Sequence, residues 1–325
     1  MQSGLGKFTE FLSQNRQSRN FLESLILGLA LLYLLTTFSL LVWGYLTRGV
    51  FSLYPDYLLF LFIVLTAVFF RQKLSSLKDL VLGILLLLAY DAMRGYAYQW
   101  GGRVNYQFPI QADLFIGGGR LPTAILQAFI DSHGWSGFFG LVSILVYTLH
   151  FAVPLAFAYI IWLSNRKDFA RYMAAVVILS YLALFTFWVF PVAPPWLAAE
   201  KGLIPIEKKF DTIATDYDLR SLTIAYDFIN ANPVAAIPSL HFGYPFLALV
   251  FALTSGRRSA AVFFAAYTLV VSFSIVYLGE HYVIDLVAGG IYALAALFLS
   301  SLAIGRLEKN ISRNTPNQCH TLPHG

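Results

Sequence analysis

Two runs decide how the chain is read: Ala235-Ala-Ile-Pro-Ser-Leu-His241 and Tyr277-Leu-Gly-Glu-His-Tyr-Val-Ile-Asp285. The first precedes a long hydrophobic segment and the second bridges two more, so His241 and His281 stand at the mouths of apolar spans. Ionisable groups at such positions are costly to bury near lipid, and a functional reading is the default. His281 and Asp285 are four residues apart. On a helix they share a face, and the carboxylate can accept a hydrogen bond from the imidazole. An oriented imidazole beside a second histidine suits a nucleophile paired with a general acid.

Outward from this stretch the chain is overwhelmingly apolar. Of its 325 residues 58% are hydrophobic and only 12% charged, which indicates an all-α polytopic transmembrane bundle. Apolar segments fall near 22–46, 56–70, 79–98, 138–164, 169–190, 238–255, 259–280 and 282–304. About eight spans place both termini on one side. The distribution of basic residues tests that count. Loops on the N-terminal side hold Lys7, Arg16, Arg19, Arg71, Lys73, Lys78, Arg166, Lys167, Arg171, Arg257, Arg258, Arg306, Lys309 and Arg313, fourteen of the 22 Lys and Arg residues. The other side holds Arg48, Arg94, Arg103, Arg120, Lys201, Lys208, Lys209 and Arg220, interleaved with acids. The expectation is an integral membrane protein with cytoplasmic termini. Its candidate site sits at the non-cytoplasmic face, where His241, His281, Asp285, Asp91 and Arg94 converge.

The net charge of +5 is loop bias, and no basic-aromatic patch of a nucleic-acid binder is present. The lone Cys319 excludes an intramolecular disulfide. The first apolar run is too long for a signal-peptide core and is read as a helix. The polar lead-in and first two spans make a unit over 1–78. The core covers 79–305, and a disordered polar tail covers 306–325. Two long loops, 99–137 and 191–237, lie on the side of the histidines. In the first, Pro122 opens a short interfacial helix. The Gly117-Gly-Gly119 run lacks the Lys-Ser/Thr of a phosphate loop. The second reads as a folded cap. His150 lies mid-membrane, four residues before Pro154, and reads as a core histidine bonded to a carbonyl freed by that proline. His133, His320 and His324 have no partners at metal spacing, and neither a metal nor a cofactor is expected.

Pro238-Ser-Leu-His241 followed by His281-x-x-x-Asp285 resembles two signatures of the type 2 phosphatidic acid phosphatase superfamily. The branch around fungal inositol phosphorylceramide synthase, the aureobasidin target, is the more similar. Ala193-Pro-Pro-Trp196 and Asp91-x-x-Arg-Gly95 also look like that branch. The resemblance covers roughly residues 85–300 and implies a six-helix phosphatase-like core. It makes His281 the nucleophile that becomes a phosphohistidine, Asp285 its orienter, and His241 the acid that protonates the leaving oxygen. Ser239 would cap a helix whose start meets an anion. Tyr244 and Tyr282 flank the histidines as further substrate-side candidates.

One departure from the broad superfamily concerns charge. Ile275 occupies the place of an arginine six residues before the nucleophile, and the Pro191–Trp196 stretch has no basic neighbour. Arg94 and Arg120 are the candidate replacements, with Lys201 and Lys208 behind them. The implied reaction passes phosphoinositol or a similar headgroup from a phospholipid donor to a lipid hydroxyl acceptor. Water as acceptor would make the same site a lipid phosphatase. A non-enzymatic lipid transporter or scaffold is the reading from another class, although the chain has no internal repeat.

Overall fold

The computed structural model describes residues 74–100, 103–219 and 232–314. The segments expected near 22–46 and 56–70, and most of the 1–78 unit, lie outside the described residues. So does the end of the tail beyond Asn314.

The described chain is helical, with no strand beyond isolated bridges. Helix α1 (Leu74–Trp100) precedes two short helices, α2 (Gln107–Ile116) and α3 (Pro122–Ser132). Pro122 occupies the first turn of α3, where its missing N–H costs nothing, as the sequence predicts. The apolar segment near 138–164 is two helices, α4 (Ser136–Leu149) and α5 (Ala152–Ser164), bent by 46° at their junction. Pro154 accounts for the break: it has no N–H for the His150 carbonyl one turn back, and its ring crowds that carbonyl.

Helix α6 (Arg166–Val189) starts sharply because the Asn165 side chain accepts from the N–H groups of Lys167 and Asp168 at 3.0 and 3.1 Å. Two short helices, α7 (Pro195–Glu200) and α8 (Lys209–Asp216), build the cap. Helices α9 (Leu240–Thr254), α10 (Arg258–Tyr277) and α11 (Val283–Asn314) complete the bundle. The backbone of α11 stays helical past residue 306, where the sequence suggests a polar tail.

By length and composition α6, α10 and residues 283–306 of α11 can each cross a membrane, and the bent α4–α5 pair makes a fourth. Helix α9 is apolar but has only 15 residues. The protein is therefore an integral membrane protein, while the count of eight is not reached among the described residues. Six apolar units still assemble: α1, α4–α5, α6, α9, α10 and α11, with α6 packed against α1, α5, α9 and α11. Their core centres on Trp162, Tyr172, Leu179 and Leu247, all fully buried.

The two ends of this bundle differ. At one, Arg257 pairs with Asp168 at 2.8 Å, tying the α9–α10 turn to the start of α6. The other carries α2, α3, the cap and both motif histidines. An α9 of 15 residues separates them by about 22 Å at 1.5 Å per residue.

Candidate active site

The site is assembled from backbone upward. Val192 is fully buried and sits between two partners. Its N–H donates to the Val234 carbonyl at 2.9 Å, and its own carbonyl accepts from Ala236 at 3.2 Å. Ala193 donates to Asn105, and Trp196 donates to the Gly279 carbonyl at 2.9 Å. The proline-rich stretch is thus a strut that fixes the segment before His241 and the turn before His281. Gly279 adopts φ +78°, a left-handed conformation that glycine takes without strain, so the chain can turn there into Glu280 and His281.

Two further contacts set the motifs against each other. The Ser239 N–H donates to the Asp285 carbonyl at 3.0 Å. Gly289 on α11 lies so close that a Cβ there would collide with the Ser239 carbonyl oxygen. Only glycine allows α9 and α11 to meet this closely. Ser239 itself caps α9, its hydroxyl accepting from the Phe242 N–H at 3.4 Å, and it is wholly buried.

The result is a hydrogen-bonded chain of three side chains. His281 Nδ1 lies 3.1 Å from Asp285 Oδ2, and His281 Nε2 lies 3.1 Å from His241 Nδ1. The same carboxylate oxygen accepts the Tyr282 N–H at 2.9 Å. A carboxylate only accepts, so His281 carries its proton on Nδ1 and its lone pair on Nε2; His241 Nδ1 then donates to it. Asp285 is fully buried and His281 nearly so, whereas His241 is half-buried.

Their contact is closer than reaction geometry allows. A nucleophile stands roughly 3–3.5 Å from the atom it attacks, with the leaving oxygen beyond it. The two imidazoles must therefore separate to admit a phosphorus.

His281 lies in the turn between α10 and α11, outside both helices. Burial pushes its pKa down from 6.5 to about 3; nearby His150 lowers it further, and a backbone hydrogen bond involving Ala236 opposes both. The imidazole is therefore neutral, and nucleophilic, at any physiological pH. Between pH 6.5 and about 3 the unfolded chain binds a proton that the native state does not, so stability falls as pH falls through that window. Thermal unfolding in detergent should show this loss on acidification, with a shallower slope in His281→Gln. A wild-type protein that gains stability on acidification in that window contradicts the assignment.

The structure also locates the other candidates. Arg94 forms an ion pair with Asp91 one turn back on α1, at 3.0 Å, and is close enough to act electrostatically on His241 and His150. Arg120 is exposed at the α2–α3 turn, and no described contact joins it to the histidines. Lys201 is exposed; Lys208 pairs with Asp211 at 2.9 Å and lies over the Trp196 ring. Tyr244 is buried, with its hydroxyl 2.8 Å from that of Ser180. Tyr282 packs among Ile110, Leu121, Ala198 and Ile204. Both rings are buried in this packing.

Two residues enter that sequence reasoning left outside the site. Asp113, on α2, is fully buried and accepts from the N–H groups of Val283 and Ile284 at 2.9 and 3.0 Å. It satisfies two donors at the start of α11 that the helix itself cannot, and so holds the turn carrying His281. The available signal was a lone acid within an apolar stretch. His150 is the second. Its Nδ1 lies 2.6 Å from the Tyr147 carbonyl, a different carbonyl from the one freed by Pro154, and its ring centroid is 3.8 Å from that of His241.

Asp113→Asn offers one acceptor where two N–H groups need partners. Turnover should fall by on the order of tenfold to a hundredfold through misplacement of His281, with the protein still folded. Steady-state assay beside a thermal melt checks this; unchanged turnover would remove Asp113 from the account.

The sequence pattern of the PAP2 superfamily matches residues 119–299, more than half of the chain, and the chain belongs to that superfamily. A phosphoinositol dihydroceramide synthase from Bacteroides thetaiotaomicron is 29% identical over 145 residues. That match covers 42% of this chain and 47% of the bacterial protein, so the chain spans about half the length of its curated relative. No solved structure matches.

Proposed function

We propose that the protein is a membrane phosphotransferase that moves a phosphate-bearing headgroup, phosphoinositol or one like it, from a phospholipid donor to a lipid hydroxyl. The observation that carries this reading is the chain His241–His281–Asp285, ordered as acid, nucleophile and orienter. His281 Nε2 attacks the donor phosphorus, and an N–P bond forms as the bond to the lipid alkoxide breaks. His241, in its protonated form, gives that alkoxide its proton and leaves as neutral imidazole. The acceptor hydroxyl then attacks the phosphohistidine, His241 takes its proton, and the N–P bond breaks. Asp285 holds the tautomer and stabilises the charge that develops on His281.

The similarity to a phosphoinositol dihydroceramide synthase supports a phosphoinositol donor and an acceptor with a sphingoid-type hydroxyl. The distribution of basic loops supports cytoplasmic termini and a site at the opposite leaflet. Arg94 supplies positive charge for the phosphoryl oxygens. Arg94→Ala should lower turnover by on the order of a hundredfold, as loss of a transition-state donor does. Wild-type rates in that variant would remove the assignment.

The test of the reaction class is purified protein in detergent with phosphatidylinositol and dihydroceramide. Transfer to dihydroceramide should outrun release of free inositol phosphate. Release of inositol phosphate alone would make the protein a phosphohydrolase, and no turnover of any phospholipid would favour a binding role.

A further inference from the structure

We infer that His150 is a third histidine of the site: from the break in a bent membrane span it positions His241. This rests on the reading of His241 as the acid. The α4–α5 junction releases the backbone at His150, and the Nδ1–H donates to the Tyr147 carbonyl at 2.6 Å, fixing the ring. The carbonyl takes the Nδ1 proton, so the neutral ring keeps its lone pair on Nε2. Its centroid is then 3.8 Å from that of His241. The Tyr147 ring, three residues back on α4, stacks on His241 at 4.4 Å and 19°. Both contacts come from the end of α4 and its broken turn, so one element shapes the pocket in which the His241 ring sits.

This arrangement addresses what the His241–His281 contact leaves open. When substrate parts the two imidazoles, His241 loses its partner at 3.1 Å and needs another surface to keep its aim. His150 and Tyr147 provide that surface. Two imidazoles in contact also cannot both be protonated cheaply. The proton spent on the leaving alkoxide and recovered from the acceptor hydroxyl is carried by His241. The groups facing the two rings are Arg94 on α1, Tyr147 on α4, and His281 with Asp285 behind it. Arg94 and a protonated partner both oppose a second positive charge.

The test uses His150→Gln in the full chain, with phosphatidylinositol and a nitrophenyl ester of phosphoinositol as donors. The lipid alkoxide needs protonation and the nitrophenolate does not. Turnover of the lipid should fall on the order of tenfold to a hundredfold, turnover of the aryl ester far less, with KM little changed. In a His241→Ala background His150→Gln should cost nothing more, because it acts through His241. Equal losses on both donors, wild-type rates, or a further loss without His241 would each overturn the inference.

Those outcomes stay separate from the parent reading, which fails instead if His241→Ala alone is indifferent to the leaving group. Should His150→Gln and His150→Asn both fail to fold, ¹⁵N titration of the wild-type histidines decides. Linked titration of His150 and His241 supports the inference, and independent titration overturns it.

Discussion

His281→Ala should abolish turnover, by roughly a millionfold, the scale on which enzymes lose rate when a covalent nucleophile is removed. The structure explains why no neighbour can substitute. His241 presents Nδ1 toward His281 rather than toward any carboxylate, and no described contact pairs it with an acid. His150 has its Nδ1 committed to the Tyr147 carbonyl. Of these three histidines, His281 alone combines a carboxylate on one nitrogen with an available lone pair on the other. The variant should still fold, since the backbone contacts that set the turn remain: Trp196 to Gly279, Asp113 to Val283 and Ile284, and Ser239 to Asp285. A protein that melts like wild type yet turns over no lipid is the expected result. Retained turnover would mean that another group attacks.

Asp285→Asn should be nearly as damaging, with turnover lower by about ten-thousandfold, because an orienting carboxylate sets the tautomer of its histidine. Asp285 Oδ2 accepts both the His281 Nδ1–H and the Tyr282 N–H. An amide that keeps its oxygen on Tyr282 can still accept, but it cannot stabilise an imidazolium; one that turns its NH₂ toward His281 forces the proton onto Nε2 and removes the lone pair. Either way the volume is unchanged, so lipid binding should survive. Equilibrium binding of a labelled phospholipid beside the steady-state rate separates the two effects. Loss of binding equal to the loss of rate would assign Asp285 to the fold instead.

Much of this architecture is legible in the sequence because it is local. Apolar runs bounded by charges predict α6 and α10 within a few residues and the start of α11, though not its end, and Pro122 marks the start of α3. The spacing of four between His281 and Asp285 predicts their contact, observed at 3.1 Å. The meeting of His241 with His281 follows from alternation of spans.

Contacts that depend on how loops return to the bundle are not legible in this way. Asp113 reaches the start of α11 across 170 residues of sequence, and nothing near it announces the two N–H groups it serves. Arg94 and Arg120 look equivalent as cations on the same side. The fold pairs Arg94 with Asp91 on α1 and leaves Arg120 at an exposed turn. His150 reads as a solitary core residue because its partner is on another helix, and because the bend that aims it comes from Pro154. Tyr282 sits beside the nucleophile in sequence, yet its ring turns into the packing under α2 and the cap.

The central claim is covalent catalysis by His281, and the most direct measurement is capture of the adduct. Protein mixed with phosphatidylinositol in the absence of acceptor should accumulate a phosphoinositol mass on one peptide, localised to His281, labile in acid and stable in base. Addition of a lipid alcohol should discharge it into product. Lipid turnover with no adduct at His281 under rapid quench, or an adduct that persists in His281→Ala, would contradict the account.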